Sequence, residues 1–169
     1  MDNTALGGLL VLDFTRVIAG PYLTQMLGDL GAEIVKVETP EVGDDFRHYS
    51  PKGWPKADAP GFPGLNRNKK SIEIDMRTET GREVCLELAK RADILVENFR
   101  PGVMSRLGLD YETIAAINPR LIYCSISGYG HTGPFTQVAG YDPIAQAETG
   151  LMYLTGAPDG EPQKAGGSV

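Results

Sequence analysis

Leu9-Leu10-Val11-Leu12-Asp13-Phe14-Thr15-Arg16-Val17-Ile18-Ala19-Gly20-Pro21, followed by Ile34-Val35-Lys36-Val37, is the stretch on which the fold turns. Residues 9–14 form a near-continuous apolar run, the pattern of a parallel strand buried on both faces. Gly20-Pro21 opens a helix, because the N–H that proline lacks would find no intrahelical partner in a first turn. Leu23, Met26, Leu27 and Leu30 recur at helical spacing, and Gly31 supplies a C-cap. Residues 34–37 are a second strand. Strand, helix and strand in such short compass make a βαβ unit.

The alternation continues along the chain. Ser71-Ile72-Glu73-Ile74-Asp75 is a third strand. Thr80 and Glu83 have the spacing of a capping box, opening a helix whose apolar face holds Val84, Leu86, Leu88 and Ala89. Ile94-Leu95-Val96 is a fourth strand. Asp110 caps a short helix that runs to Ile117 and stops before Asn118-Pro119. Residues 121–126 are a fifth strand. The fold class is therefore α/β, a Rossmann-like doubly wound parallel sheet. Two segments fall outside regular elements. Residues 38–70, rich in Pro and Gly and carrying His48, Trp54 and Phe62, read as a long loop that is functional or tied down by another part of the protein. Residues from Gly128 onward are similarly loop-rich.

Composition bounds the function. The 169 residues, 41% hydrophobic, suffice for one core. A net charge of −6 leaves no basic stripe, which argues against nucleic acid as the main partner but not against a small anion held by a few arginines. Cys85 and Cys124 lie in apolar runs without metal spacing and read as buried reduced thiols. The first residues are acidic and precede no apolar core of a leader, and no run approaches the ~18 apolar residues of a membrane span. The expectation is a cytoplasmic protein with no membrane partner and no metal site.

Ligands of open α/β sheets sit beyond the carboxyl ends of the strands. Residues 15–21, 38–39, 97–102 and 127–131 should converge there. The helix at Gly20-Pro21 turns its positive end to the same edge, and Arg16, Arg77, Arg100 and Arg106 can add charge. Gly128-x-Gly130-x-x-Gly133 matches a dinucleotide fingerprint formally. Pro134, Gly140 and Pro143 leave no room for the helix that would carry a pyrophosphate, so these read as loop glycines. His48 and His131 read as loop or surface histidines, and no Gly-x-Ser-x-Gly elbow accompanies them. Asp142 is either a carboxylate at the ligand edge or an N-cap before Pro143. Asp159 belongs to a turn, Ala157-Pro158-Asp159-Gly160.

Six blocks, in order, resemble one family. They are residues 8–21, residues 27–38, Gly43-Asp44-Asp45, residues 66–72, Val96-Glu97-Asn98-Phe99-Arg100-Pro101-Gly102 and Gly140-Tyr141-Asp142. Together they resemble the class III coenzyme A transferases (CaiB/BaiF type), which include formyl-, carnitine- and succinyl-coenzyme A transferases and α-methylacyl-coenzyme A racemases. The resemblance implies that residues 1–169 are the N-terminal part of a Rossmann-like large domain, with the small domain and the C-terminal return absent. It also implies an interlocked homodimer in the complete protein. Coenzyme A and acyl-coenzyme A are then substrates alongside a carboxylate acceptor, with no permanently bound cofactor.

By the same resemblance, Ile18 and Ala19 border the coenzyme A, and Thr39 stands where some members place a nucleotide-binding arginine. Ile74 and Arg77 match contacts near the adenine and phosphates. Asn98, Phe99, Arg100, Arg106 and Leu107 line the coenzyme A. Ala139, Gly140, Tyr141 and Asp142 match a segment near the pantetheine and thioester. Ile18 replaces the glutamine of formyl transferases, and Tyr141 replaces the catalytic histidine of racemases, which favours transfer over racemisation. The family's nucleophile, an aspartate, is expected just beyond Val169. The implied reaction passes through an aspartyl-coenzyme A intermediate. Three alternatives stay open: a truncated, inactive coenzyme A-binding fragment, an α-methylacyl-coenzyme A racemase and, from the fold alone, an NAD-dependent oxidoreductase.

Overall fold

The structure, a computed structural model, describes residues 4–53 and 58–166. Trp54 and Val169, both singled out above, lie outside the described residues. The chain divides into two compact units, Met1–Ile126 and Ser127–Val169.

The first unit is built on five parallel strands: β1 (Leu10–Asp13), β2 (Glu33–Glu38), β3 (Lys69–Glu73), β4 (Ile94–Glu97) and β5 (Ile122–Ser125). Their order in the sheet is β3-β2-β1-β4-β5. From β1 the chain steps outward to β2 and β3, then returns to lay β4 on the other side of β1. That reversal places a crevice at the carboxyl ends of β1 and β4, where open α/β sheets bind ligands. Leu12 registers with Val35 and Leu95, and Asp13 with Lys36 and Val96.

Successive strand residues face opposite sides, and both sides of the central strands β1, β2 and β4 are covered, whereas β3 is largely exposed and β5 half-buried. Leu12, Phe14, Val37 and Leu95 join Cys85, Ala89, Leu109 and Ile114 in one core cluster. Val11, Ile34 and Val96 form the other, packed by Leu23 and Leu27 of α1 (Ala19–Asp29). The wholly buried Leu95 illustrates the cost of losing such contacts: truncating a core leucine to alanine costs about 2–5 kcal/mol.

Several elements differ from the sequence reading. On α1, Met26 and Leu30 are exposed, while Thr24 and Gln25 are buried. The two polar side chains turn inward because each has a partner, Thr24 on Asp13 and Gln25 on Asp29. Helix α3 (Glu79–Ala89) is capped by Thr78, whose hydroxyl accepts the Gly81 N–H, so Thr80 lies inside the helix and caps nothing. Its buried face is Gly81, Cys85 and Ala89, with Val84 outward. Strand β3 starts two residues earlier than expected, and Ile74 leaves it to enter the core.

Residues 38–70 are not a bare loop. They hold a 3₁₀ turn (Asp45–His48) and α2 (Phe62–Asn66), and they are tied down both by other elements, through Asp44 to Val17 and Lys36 and through Arg67 to Asp29, and by their own residues. Arg47 bonds Glu38 and Asp58 and lies 3.8 Å over the Phe62 ring. Helix α4 (Val103–Leu107) is also additional, while α5 (Tyr111–Ile117) begins at its expected cap, Asp110.

The second unit contains α6 (Asp142–Glu148) and α7 (Leu151–Thr155). Asp142 is the first helical residue and Tyr141 the N-cap, which corrects the capping assignment. The Asp142 carboxylate instead accepts from Gln146 at 2.9 Å and lies 3.5 Å from Lys164. Gly128 and Gly140 cross backbone to backbone, where a Cβ on either would overlap the other's Cα. That close approach accounts for Gly128 without any phosphate. Gly160 donates to the Ala157 carbonyl at 3.0 Å, and Asp159 sits in that turn. Among the described residues no helix is long and apolar enough to cross a membrane.

Candidate functional site

The loop from Phe14 to Ile18 leaves β1 at the crevice. Past Phe14, whose N–H still donates to the Val96 carbonyl at 2.9 Å, its backbone leaves the ladder while much of it stays buried, so its polar groups need partners. Asp13 accepts from the Thr15 N–H (2.8 Å) and the Thr24 hydroxyl (2.6 Å). Lys36 donates to the Thr15 carbonyl at 2.7 Å. Asn98, just after β4, reaches across the crevice to Arg16. Its Oδ1 accepts the Arg16 N–H and its Nδ2 donates to the Arg16 carbonyl, each at 2.8 Å. Asp44 Oδ1 accepts the Val17 N–H at 2.9 Å and caps the 3₁₀ turn through the Phe46 N–H.

These anchors hold a strained residue. Val17 has φ 69°, in the left-handed region where a β-branched side chain crowds its own backbone. Such strain costs about 1–3 kcal/mol. Two neutral hydrogen bonds near 1 kcal/mol each, and one to a carboxylate near 2, are enough to offset it. On the outer side the Arg16 guanidinium lies 4.9 Å from the Phe99 ring centroid and 3.1 Å from Asp45.

Beneath the loop the charges are buried and mutually paired. Lys36 lies 2.9 Å from Asp44, and Lys69 lies 3.2 Å from Asp13, with all four side chains at most 2% exposed. Lys69 also donates to the Pro21 carbonyl and to Asn66. Burial lowers its pKa despite the neighbouring Asp13. For Glu38, burial alone would raise the carboxyl. Hydrogen bonds from Arg47, Ser71 and the Asp44 N–H prevail and hold it down at about 2. The cavity over this floor is only about 10 Å³, room for no more than a single water.

A larger cleft opens beside it. Met76, Arg77, Thr78, Glu79, Arg82, Arg106 and Leu107 enclose about 430 Å³, within the range of small-molecule sites. Arg77 is tied to Asp75 at 2.8 Å. Arg82 and Arg106 have no ion-pair partner among the described residues and leave two guanidinium groups available to an anion. Arg82 lies over Gly108, the C-cap of α4, where a side chain would press on the guanidinium.

Besides Asn98, the residues expected at the site fall in five places. Arg77, Arg106 and Leu107 line the cleft, and Thr39 and Phe99 line the small cavity with Arg16. Ile18 is the N-cap of α1, Ala19 opens that helix at the surface, and Arg100 is exposed. Ile74 is 6% exposed and its side chain belongs to the core. Ala139, Gly140, Tyr141 and Asp142 lie in the second unit, with Tyr141 largely exposed. Sequence reasoning missed Arg82, for which a helix start at Thr78 would have been the clue. It also missed the buried quartet. There the signal was present: Asp13 and Lys36 are charges inside otherwise apolar strands, and each demands a partner. Among the described residues no cluster of His, Cys, Asp and Glu could hold a metal ion.

Comparison with known proteins gives consistent matches along the chain. The family described as CoA-transferase family III matches residues 6–169. Succinyl-CoA:glutarate CoA-transferase of Mus musculus is 50% identical over 161 residues, covering 95% of this chain and 37% of that protein. Acetyl-CoA:oxalate CoA-transferase of Acetobacter aceti is 50% identical over 161 residues, covering 95% of this chain and 41% of that protein. Among solved structures, a CAIB/BAIF family protein from Brucella suis aligns with a TM-score of 0.91 at 50% identity, over 98% of this chain and 44% of that one. The chain thus spans about two-fifths of the length of these relatives.

Proposed function

The chain belongs to CoA-transferase family III, and from that premise we propose that it forms the coenzyme A-binding part of an enzyme that moves coenzyme A from an acyl thioester to a carboxylic acid. The observation that carries this reading is the arginine cleft. Coenzyme A presents phosphate groups beside an apolar adenine face. Arg82 and Arg106 offer charge, and Met76 and Leu107 offer apolar surface, in one 430 Å³ space. From there the ligand runs toward the crevice at β1 and β4, past Phe99 and Arg16, to Ile18 and Ala19.

In this mechanism an aspartate carboxylate, which the resemblance places beyond Val169, attacks the acyl thioester carbonyl. The products are an acyl-aspartyl anhydride and free coenzyme A thiolate. The thiolate attacks the aspartyl carbonyl, expels the donor acid and leaves an aspartyl-coenzyme A thioester. The acceptor carboxylate attacks that thioester, and the thiolate it releases takes up the acceptor acyl group, restoring the aspartate. A thioester is exchanged for a thioester throughout. The residues described here bind the nucleotide end, orient the chain of the ligand and exclude water from the intermediates. The names of the relatives favour short dicarboxylic acids as acceptors. The complete protein works as an interlocked homodimer in the cytoplasm.

The test compares coenzyme A with pantetheine, which lacks the nucleotide, by titration calorimetry. Arg82→Ala and Arg106→Ala should each weaken coenzyme A about fivefold to tenfold, as loss of a partly solvated charged contact does, and leave pantetheine unchanged. Equal binding of the two ligands by the unaltered protein would overturn the reading. So would failure of the complete protein to exchange acyl groups between succinyl-, acetyl- or formyl-coenzyme A and dicarboxylates.

A further inference from the structure

Asn98 follows β4, whereas the residue it grips follows β1. One side-chain amide reads both main-chain groups of Arg16, accepting its N–H and donating to its carbonyl at 2.8 Å each. The next residue, Val17, is held left-handed at φ 69° with its own N–H on Asp44. Only an amide of this length offers a donor and an acceptor side by side. An aspartate would set a carboxylate oxygen against the Arg16 carbonyl, and a serine would not span the gap. The residue type is thus accounted for by the backbone it holds. The consequence falls on the neighbours. Arg16 is stacked on Phe99, and the turn at Val17 sets the direction in which Ile18 and Ala19 enter α1.

Resting on the reading that this loop borders coenzyme A, we infer that Asn98 is a positioning residue that clamps the strained Arg16–Val17 turn across the crevice, and that its side chain acts on the ligand only through that turn. Val17 is the strained element, Asn98 and Asp44 the clamps, and the Ile18–Ala19 edge the part presented.

A double-mutant cycle tests this, because glycine adopts the left-handed conformation freely. Coenzyme A affinity is measured by calorimetry for the unaltered protein, Asn98→Ala, Val17→Gly and the double variant. Hydrogen exchange of the Arg16 and Val17 amides is followed in the same four proteins without ligand. Asn98→Ala should weaken coenzyme A about tenfold, as loss of two hydrogen bonds to the clamp implies. It should also strip protection from the two amides. In the Val17→Gly background the affinity penalty of Asn98→Ala should shrink to about threefold or less, as expected of coupled sites. A penalty of the same size in both backgrounds would mean that Asn98 meets the ligand directly and would overturn the inference. So would full retention of amide protection in Asn98→Ala. Should Asn98→Ala not fold, Asn98→Asp enters the same cycle, with the same two outcomes decisive. If the unaltered protein binds no coenzyme A, the functional reading falls, and the exchange measurements still decide whether the clamp exists.

Discussion

Replacing Glu38 by glutamine should remove a defined, pH-dependent part of the stability. The Glu38 side chain is 2% exposed and takes hydrogen bonds from Arg47 Nη2 (2.7 Å), Arg47 Nε (2.8 Å), Ser71 Oγ (2.6 Å) and the Asp44 N–H (2.9 Å). Holding the carboxyl at about 2 instead of the ordinary 4.5 is worth about 3 kcal/mol, at about 1.4 kcal/mol per decade of proton affinity. The sign follows from which state protonates first. As pH falls the unfolded chain takes up the proton near 4.5 while the folded one resists to about 2. The contribution is therefore complete above pH 4.5 and is lost between 4.5 and 2, with about 2 of the 3 kcal/mol gone by pH 3. Glu38→Gln keeps the shape but leaves Arg47 with Asp58 as its remaining carboxylate. Urea unfolding at pH 7 should show a loss of about 2–3 kcal/mol for the variant. Between pH 5 and 3 its stability should fall less steeply than that of the unaltered protein. Other carboxylates contribute equally to both curves, so the difference isolates Glu38. Parallel curves, or a loss below about 0.5 kcal/mol, would mean that these bonds do not hold the Glu38 carboxylate.

Three further outcomes follow from the same packing. Gly20→Ala would drive a Cβ into the Thr15 side chain at the start of α1, and should cost about 1–3 kcal/mol in thermal or urea unfolding. Lys69→Met strips Asp13 of its cation and leaves the Pro21 carbonyl and Asn66 short of a donor; a loss of about 3–5 kcal/mol in the same assay is expected for a broken buried pair. Burial pushes the Cys85 thiol up to about 11, so a thiol reagent at pH 8 should modify Cys85 only as fast as the protein unfolds, read out by peptide mass.

The central strands were legible because a doubly covered parallel sheet demands apolar runs, and residues 9–14 and 94–96 supply them; residues 121–126 carry the same run at a half-buried edge. Helix α5 was legible because Asp110 caps it. The short helices were not. Pro63-Gly64 lies inside α2, Pro143 lies in the first turn of α6, and Gly102 and Gly108 flank α4. Local propensity sees breakers there, and helices of so few turns depend on tertiary packing. The capping signal misled by two residues because Thr80 and Glu83 fit the reciprocal motif, whereas Thr78 caps through a glycine that offers no return bond. At the candidate site, the family resemblance pointed to Arg77, Arg106 and Leu107, and these three line one cleft. Ile74 shows the limit of position: it sits beside the cleft in sequence but turns its side chain into the core.

The buried charges explain why the loop after β1 has the shape it has. A hydrophobic replacement of a buried ion pair is often neutral or stabilising, so charge pairing alone gives no reason to keep Asp13 and Lys36 inside apolar strands. Their remaining bonds do. In order, the Thr15 N–H goes to Asp13, the Thr15 carbonyl to Lys36, the Arg16 N–H and carbonyl to Asn98, and the Val17 N–H to Asp44. These consecutive main-chain groups are satisfied by side chains from β1, β2, the residue after β4 and the cap of the 3₁₀ turn. A strand would satisfy them in a ladder, but a strand continued past Asp13 would close the crevice between β1 and β4. Opening that crevice requires the chain to leave the sheet, and leaving the sheet orphans its backbone. The interior charges take the place of the missing ladder. Lys36 and Asp44 therefore act as one unit with Asn98 and Val17, and substitutions among them should couple, whereas an equally buried change such as Leu109→Ala on the far core should simply add.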